Sequence, residues 1–458
     1  MPDVLSRRLG SADAVVLGLA VMLGTGVFIV FAPAAARAGA WLPLAVVLAG
    51  AVAACNAFST ADLAARYPDP GGGHLFGRQR LAPWAGRLAG VALLAGKTAS
   101  AAAAAGVFGH YVLPARPLCA AVPLIVVVGM LNAFGVRWTA RGARVVVPGV
   151  LAVLAMVVLV GFVWRVSPDW SPGGLSDADT TGAAKIPIAG MPASSSAVDL
   201  GASPHPVGPL GVLTAAGLVF FAFAGYERAA GLGDEVCDLT HSLRRTIPVA
   251  LLIALVTYLA VAAALLHALG VTRLGMQSAP LAAAVGGADA PALGVVVRVG
   301  AAAATVTVLL GVLAGVGRTT LAMARRHELP GWLAEVGRAG TPLRADLVGA
   351  AGAVLVAVLA GPVAAVALSA CCMLVYYALI NFAALRLPAT ARRWPAWASA
   401  VGLVLCVGLA VLLPAIEVAA TAVVLALGSV ATAALSRRAS LRGAGSGATP
   451  APEPGPDM

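Results

Sequence analysis

Two stretches of this chain put backbone-freeing residues inside runs that would otherwise be unbroken apolar helix. The first is Met22-Leu23-Gly24-Thr25-Gly26-Val27-Phe28. Two glycines around a threonine weaken a helix and let its peptide groups open. The second is Phe220-Phe221-Ala222-Phe223-Ala224-Gly225-Tyr226-Glu227, where an acid ends an aromatic run. The amides freed at Gly24, Thr25 and Gly26, with the positive end of the half-helix that follows, favour a carboxylate. The carbonyls freed near Leu23 and around Phe221, Ala222, Phe223 and Ala224 form a negative helix end that suits an ammonium group. Together the two breaks could hold both ends of an α-amino acid by backbone alone. The competing reading is that Gly24 and Gly26 only let helices approach closely. The second break weighs against it, because paired discontinuities near mid-membrane are how many transporters build a binding site.

Seven further side chains could carry chemistry or packing. Lys97, in Gly96-Lys97-Thr98-Ala99-Ser100, lies about halfway along an apolar run. A charge there is costly unless it meets water or a partner, and a desolvated lysine releases its proton readily. Lys97 could therefore couple movement to protons, pair with an acidic substrate group, or sit in a fixed salt bridge. Glu227 could gate or couple, or simply cap a helix start. Phe223 is a candidate lid over a bound solute, or a core ring. Thr305 and Thr307 could offer hydroxyls to an ion, although such hydroxyls more often bond the carbonyl four residues back. Tyr376 and Tyr377 read as packing or interface aromatics.

The elements that must position these groups are membrane helices. The chain has 458 residues, 60% hydrophobic and 11% charged, with a mean hydropathy of +0.94. A soluble domain carries roughly a quarter of its residues charged. Apolar runs of about 20 residues recur along the chain, each long enough to cross a bilayer as a helix. Period-two alternation, the mark of membrane strands, is missing. The runs predict about twelve spans, near 12–37, 42–66, 84–112, 118–137, 144–165, 209–232, 246–269, 293–324, 345–362, 364–387, 395–413 and 415–435. With the N-terminus inside, 23 basic residues fall in inner loops and 5 in outer ones. That asymmetry matches the positive-inside rule. It accounts for the net charge of +11 without any nucleic-acid partner.

The first run lacks a small-residue cleavage site, so it reads as a retained span. Residues 1–11 are then an inner N-terminus, 12–165 a first set of five spans, and 166–208 an outer loop rich in Gly, Pro, Ser, Thr and Asp. Residues 209–390 form a second set, 391–436 two added helices, and 437–458 a disordered inner tail. The six cysteines form no CxxC pair and sit mostly in apolar runs, which predicts buried thiols rather than a metal site or disulfides. Cofactors are not expected. HExxH, paired carboxylates and GxxxxGK[ST] are all missing, so neither an enzyme nor direct ATP drive is indicated.

Several motifs fall in a familiar order. Gly24 to Phe28 matches G-[ST]-G-[IV]-F, and Asp62-Leu63-Ala64-Ala65-Arg66-Tyr67-Pro68-Asp69-Pro70-Gly71-Gly72 ends the second span. Phe220 to Glu227, Asp234-Glu235 with Arg245-Thr246-Ile247-Pro248, and Met323-Ala324-Arg325 with Leu329-Pro330 and Thr341-Pro342 follow. In these residues, from 12 to about 390, the chain resembles the amino acid–polyamine–organocation permeases. Two features depart from their pattern: the loop from Asp238 to Arg245 is longer, and His327 stands where glycine is usual. The resemblance implies an all-α membrane protein of the LeuT type, two inverted five-helix repeats with discontinuous helices 1 and 6, plus two C-terminal helices. It implies secondary transport of an amino acid or related amine, as a proton symporter or as an amino acid/polyamine exchanger. The expected partners are the small-molecule substrate, H+ and the lipid bilayer. A receptor or channel would not need two breaks.

Overall fold

A computed structural model describes residues 11–67, 72–135, 140–164, 208–225, 239–286, 291–337 and 340–445. The described residues are helical throughout, with short connections and no strand among them. In chain order the helices are α1 (Ser11–Met22), α2 (Thr25–Ile29), α3 (Phe31–Ala38), α4 (Leu42–Arg66), α5 (Gly72–Arg80), α6 (Pro83–Val112), α7 (Pro117–Ala133) and α8 (Ala140–Val163). Then come α9 (Pro209–Phe223), α10 (Leu239–Gly275), α11 (Pro280–Val285), α12 (Pro291–Arg325), α13 (Leu343–Leu385), α14 (Ala396–Leu412) and α15 (Ala415–Gly445).

Proline sets many of the starts. Pro83, Pro117 and Pro209 occupy the first turns of α6, α7 and α9, where a missing N–H costs nothing. Pro33 removes the N–H that would bond Ile29, which is where α2 hands over to α3 through the helical Val30. Within α13, Gly361 has φ +68° and is followed by Pro362. A side chain at that φ is strained and a proline cannot continue the ladder, so α13 is two helices meeting at a bend. The apolar runs divide at the same place, between the expected spans 345–362 and 364–387. A second bend lies at Gly270 in α10.

Seven helical stretches, among the described residues, are long and apolar enough to cross a membrane, and four shorter apolar helices accompany them. Their outer faces carry large exposed apolar side chains, among them Val145, Leu359, Val404, Ile416 and Leu427. Such a belt has no place on a water-soluble surface. Inside, α6 is central: alanines 101 to 105 are all buried, and α12 and α13 pack along it. Small residues let helices close on one another where lipid offers no hydrophobic drive.

A fully buried polar knot ties α4, α13 and α14. Asn381 donates to Asn56 Oδ1 at 2.6 Å, Ser59 donates to Asn381 Oδ1 at 2.6 Å, and Ser59 and Ser399 hydroxyls lie 2.8 Å apart. Asp62, one turn on, accepts the backbone N–H groups of Arg393 and Trp394.

Three expectations change, two on boundaries and one on a thiol. Helix α10 begins at Leu239 rather than 246. Helix α15 runs on to Gly445, into the segment expected to be a disordered tail. Cys119 is exposed, while Cys55, Cys371, Cys372 and Cys406 are buried free thiols.

Candidate functional site

The first span breaks where the glycines stand. Helix α1 stops at Met22, Gly24 sits at φ −81° and ψ −122°, and α2 restarts at Thr25 with no side-chain cap. Helix α9 likewise stops at Phe223, with Ala224 at φ −68° and ψ 103°. The residues after Gly225, Tyr226 and Glu227 included, lie outside the described residues. The two breaks face each other directly. A Cβ on Gly26 would fall 2.5 Å from Ala222 Cβ, and one on Gly225 would fall 2.5 Å from Val21 Cγ1. Gly24 is pressed against Val308 of α12. Only glycine permits these approaches.

The loose peptide groups have partners the sequence reading did not name. Tyr258 of α10, fully buried, sends its hydroxyl between the carbonyls of Met22 and Ala222, 3.0 Å from the latter. One O–H holds one proton, so the C-terminal ends of α1 and α9 share a single donor. The Tyr258 ring stacks edge-on against Phe223 at 4.9 Å and Phe31 at 6.3 Å. Tyr111, at the end of α6, donates to the Phe28 carbonyl at 3.1 Å and packs edge-on against the Phe28 ring. Thr25, 2% exposed, has a hydroxyl with no hydrogen-bond partner. A buried polar atom left so costs free energy unless something else meets it. Leu23, Gly24, Thr25, Gly26, Phe221, Ala222 and Phe223 are all buried at this junction, and Ala224 is half-buried.

Among the other expected residues, Thr305 donates to the Ala301 and Ala302 carbonyls at 2.8 and 3.0 Å, and Thr307 to Ala303 at 2.7 Å. Both hydroxyl protons are thus bound within α12. Lys97 is half-buried at the middle of α6 and makes an interaction there. It belongs to the stripe Gly90, Lys97, Ala104 and Tyr111, spaced by seven residues and so on one face. The ends of that stripe lie against Met323 of α12 and the Phe28 carbonyl. Tyr376 and Tyr377 pack on each other, and Tyr377 on Phe220.

At the Arg-rich end lies a second buried cluster. His74 of α5 and Glu328 after α12 meet at 2.5 Å, with Arg78 3.5 Å from the other carboxylate oxygen. His327 beside them has φ +58°. The glycine usual at this position in the permease pattern fits such a φ better than histidine does.

Residues 9–435 match the family described as amino acid permease. The chain belongs to that family. An uncharacterized transporter of Mycobacterium tuberculosis (strain ATCC 25618 / H37Rv) is 43% identical over 429 residues, 93% of this chain and 91% of the relative. The methylthioribose transporter of Bacillus subtilis (strain 168) is 26% identical, over 72% of this chain and 70% of its own. The branched-chain amino acid permease BcaP of the same organism is 23% identical over the same shares. This amino acid permease family member is thus a multi-pass membrane protein of transporter type, within the amino acid–polyamine–organocation superfamily. The membership fits the paired breaks, since backbone groups bared inside a bilayer are tolerated where they line a site.

Proposed function

We propose that this permease is a secondary transporter that carries an amino acid or related amine across the cell membrane by alternating access, driven by protons. Its termini lie on the cytoplasmic side, and its ten-helix core is an inverted repeat with two added helices. The observation that carries the reading is the Tyr258 hydroxyl held between the carbonyls of Met22 and Ala222. Each carbonyl can accept two hydrogen bonds, so two helix ends that share one donor still present a negative site that an ammonium group, with three donors, fills beside the phenol. The amides at Gly24 to Gly26 and the orphan Thr25 hydroxyl take the carboxylate a few ångströms on. Phe223 closes over the solute. Lys97, on the α6 face that reaches α12 and α2, is the proton-coupling group, and Glu227 gates.

The test is uptake of radiolabelled amino acids into proteoliposomes with and without an imposed inward proton gradient. The gradient should raise the initial rate at least tenfold, and Lys97→Ala should remove that gain while leaving downhill exchange. Gradient-driven uptake that survives in Lys97→Ala refutes the coupling role. Uptake that depends only on amino acid loaded inside identifies an exchanger.

A further inference from the structure

Resting on the site just proposed, we infer that its side-chain end takes a neutral aliphatic group, so that the solute is an uncharged aliphatic amino acid rather than a cationic or acidic one. The relatives do not decide this, since their names cover a branched-chain permease, a methylthioribose transporter and cationic amino acid transporters.

The walls do. From α12, Val308 presents its Cγ2 methyl to Gly24. The neighbouring Thr305 and Thr307 cannot offer their protons to a solute, because they donate to carbonyls of their own helix. From α1, Val21 fills the space at Gly225. From α9 and α3, the Phe223 and Phe31 rings close on Tyr258. The two phenols, Tyr258 and Tyr111, are held by backbone carbonyls. Among the described residues at the break, the Thr25 hydroxyl is left unpartnered.

Three described acids are held elsewhere. Asp62 binds the Arg393 and Trp394 amides, Glu328 binds His74 and Arg78, and Asp346 packs its carboxylate on Gly317. Lys97 shares the α6 stripe with Tyr111 but stands fourteen residues before it, about 21 Å along the helix at 1.5 Å per residue. Gly24 is only four residues, about 6 Å, before the Phe28 that Tyr111 touches. Among the described residues at these walls, an ammonium or guanidinium side chain would meet no counter-charge and a carboxylate no cation, and each loses its hydration.

Purified full-length protein in proteoliposomes, given radiolabelled alanine, valine, leucine, lysine, arginine, putrescine or glutamate in turn, tests this. At least one neutral aliphatic amino acid should enter ten times faster than lysine, arginine, putrescine and glutamate. Entry of a cationic or acidic solute as fast as the best neutral one overturns the inference and leaves the transport reading standing. Failure to move any of the seven overturns both. Val308→Asp, which sets a carboxylate beside Gly24, should raise the lysine-to-leucine uptake ratio at least tenfold. Val308→Thr, close to valine in shape, should lower leucine uptake severalfold. Unchanged ratios in both, with the protein still monodisperse, would show that Val308 does not line the side-chain end.

Discussion

Gly26 of α2 and Ala222 of α9 touch so closely that a single methyl on the glycine would lie 2.5 Å from the alanine methyl. The neighbour at that point is backbone-borne, so it cannot swing aside as a long side chain could. Gly26→Ala should therefore push the two broken helices apart. We expect a destabilisation of about 1–3 kcal/mol, typical of overpacking, and loss of most uptake. Detergent thermal-stability curves beside proteoliposome uptake check it, with Gly149→Ala, which meets nothing within 4 Å, as control.

Tyr258→Phe keeps the ring against Phe223 and Phe31 and deletes one hydroxyl. The Met22 and Ala222 carbonyls then lose their shared donor, at about 1–3 kcal/mol for buried groups left unmet. Tyr111→Phe likewise frees two backbone groups, the Phe28 carbonyl and the Leu281 N–H. Thermal unfolding of the three proteins should place both variants below wild type. Equal midpoints would mean that water replaces both phenols.

The His74–Glu328 pair is buried on both sides, at 3% and 2% exposure. Removing one partner strands the other, at about 3–5 kcal/mol, whereas replacing both with apolar groups does not. Stability should therefore fall in His74→Leu and in Glu328→Leu, and fall by clearly less than their sum in the double variant. A double-mutant cycle by denaturant or thermal unfolding measures the coupling.

His327→Gly relieves a left-handed residue, with φ +58°, at a position where the family pattern has glycine. The strain removed is about 1 kcal/mol, partly offset by glycine's greater freedom when unfolded. A small rise in melting midpoint with unchanged uptake is expected. A fall in either would assign the imidazole a role of its own.

The sequence foretold elements whose cause is local. Gly24 and Gly26 announced the first break, and Gly361-Pro362 the division of α13, because backbone permissiveness is written in residue type. The site's hydroxyl donors were not legible. Tyr258 and Tyr111 read as ordinary aromatics within apolar runs, and only packing brings them to carbonyls 236 and 83 residues away. His74 and Glu328 are separated by 254 residues, and neither carries a mark of its partner. Helix α5 escaped notice for another reason: its nine residues are polar and short, and its place is set by glycines 77 and 86 nestling against its own side and that of α6. The thiol expectation failed at Cys119 because one face of α7 is exposed.

The knot of Asn56, Ser59, Asn381 and Ser399 has a consequence for assembly. In hydrocarbon, an apolar helix such as α14 gains little by choosing protein over lipid tails, and could settle at many orientations. Amides and hydroxyls that find acceptors at one depth and one rotation remove that freedom. Late-synthesised α14 is thereby assigned its seat beside α4, a helix made some three hundred residues earlier, by recognition rather than by greasiness.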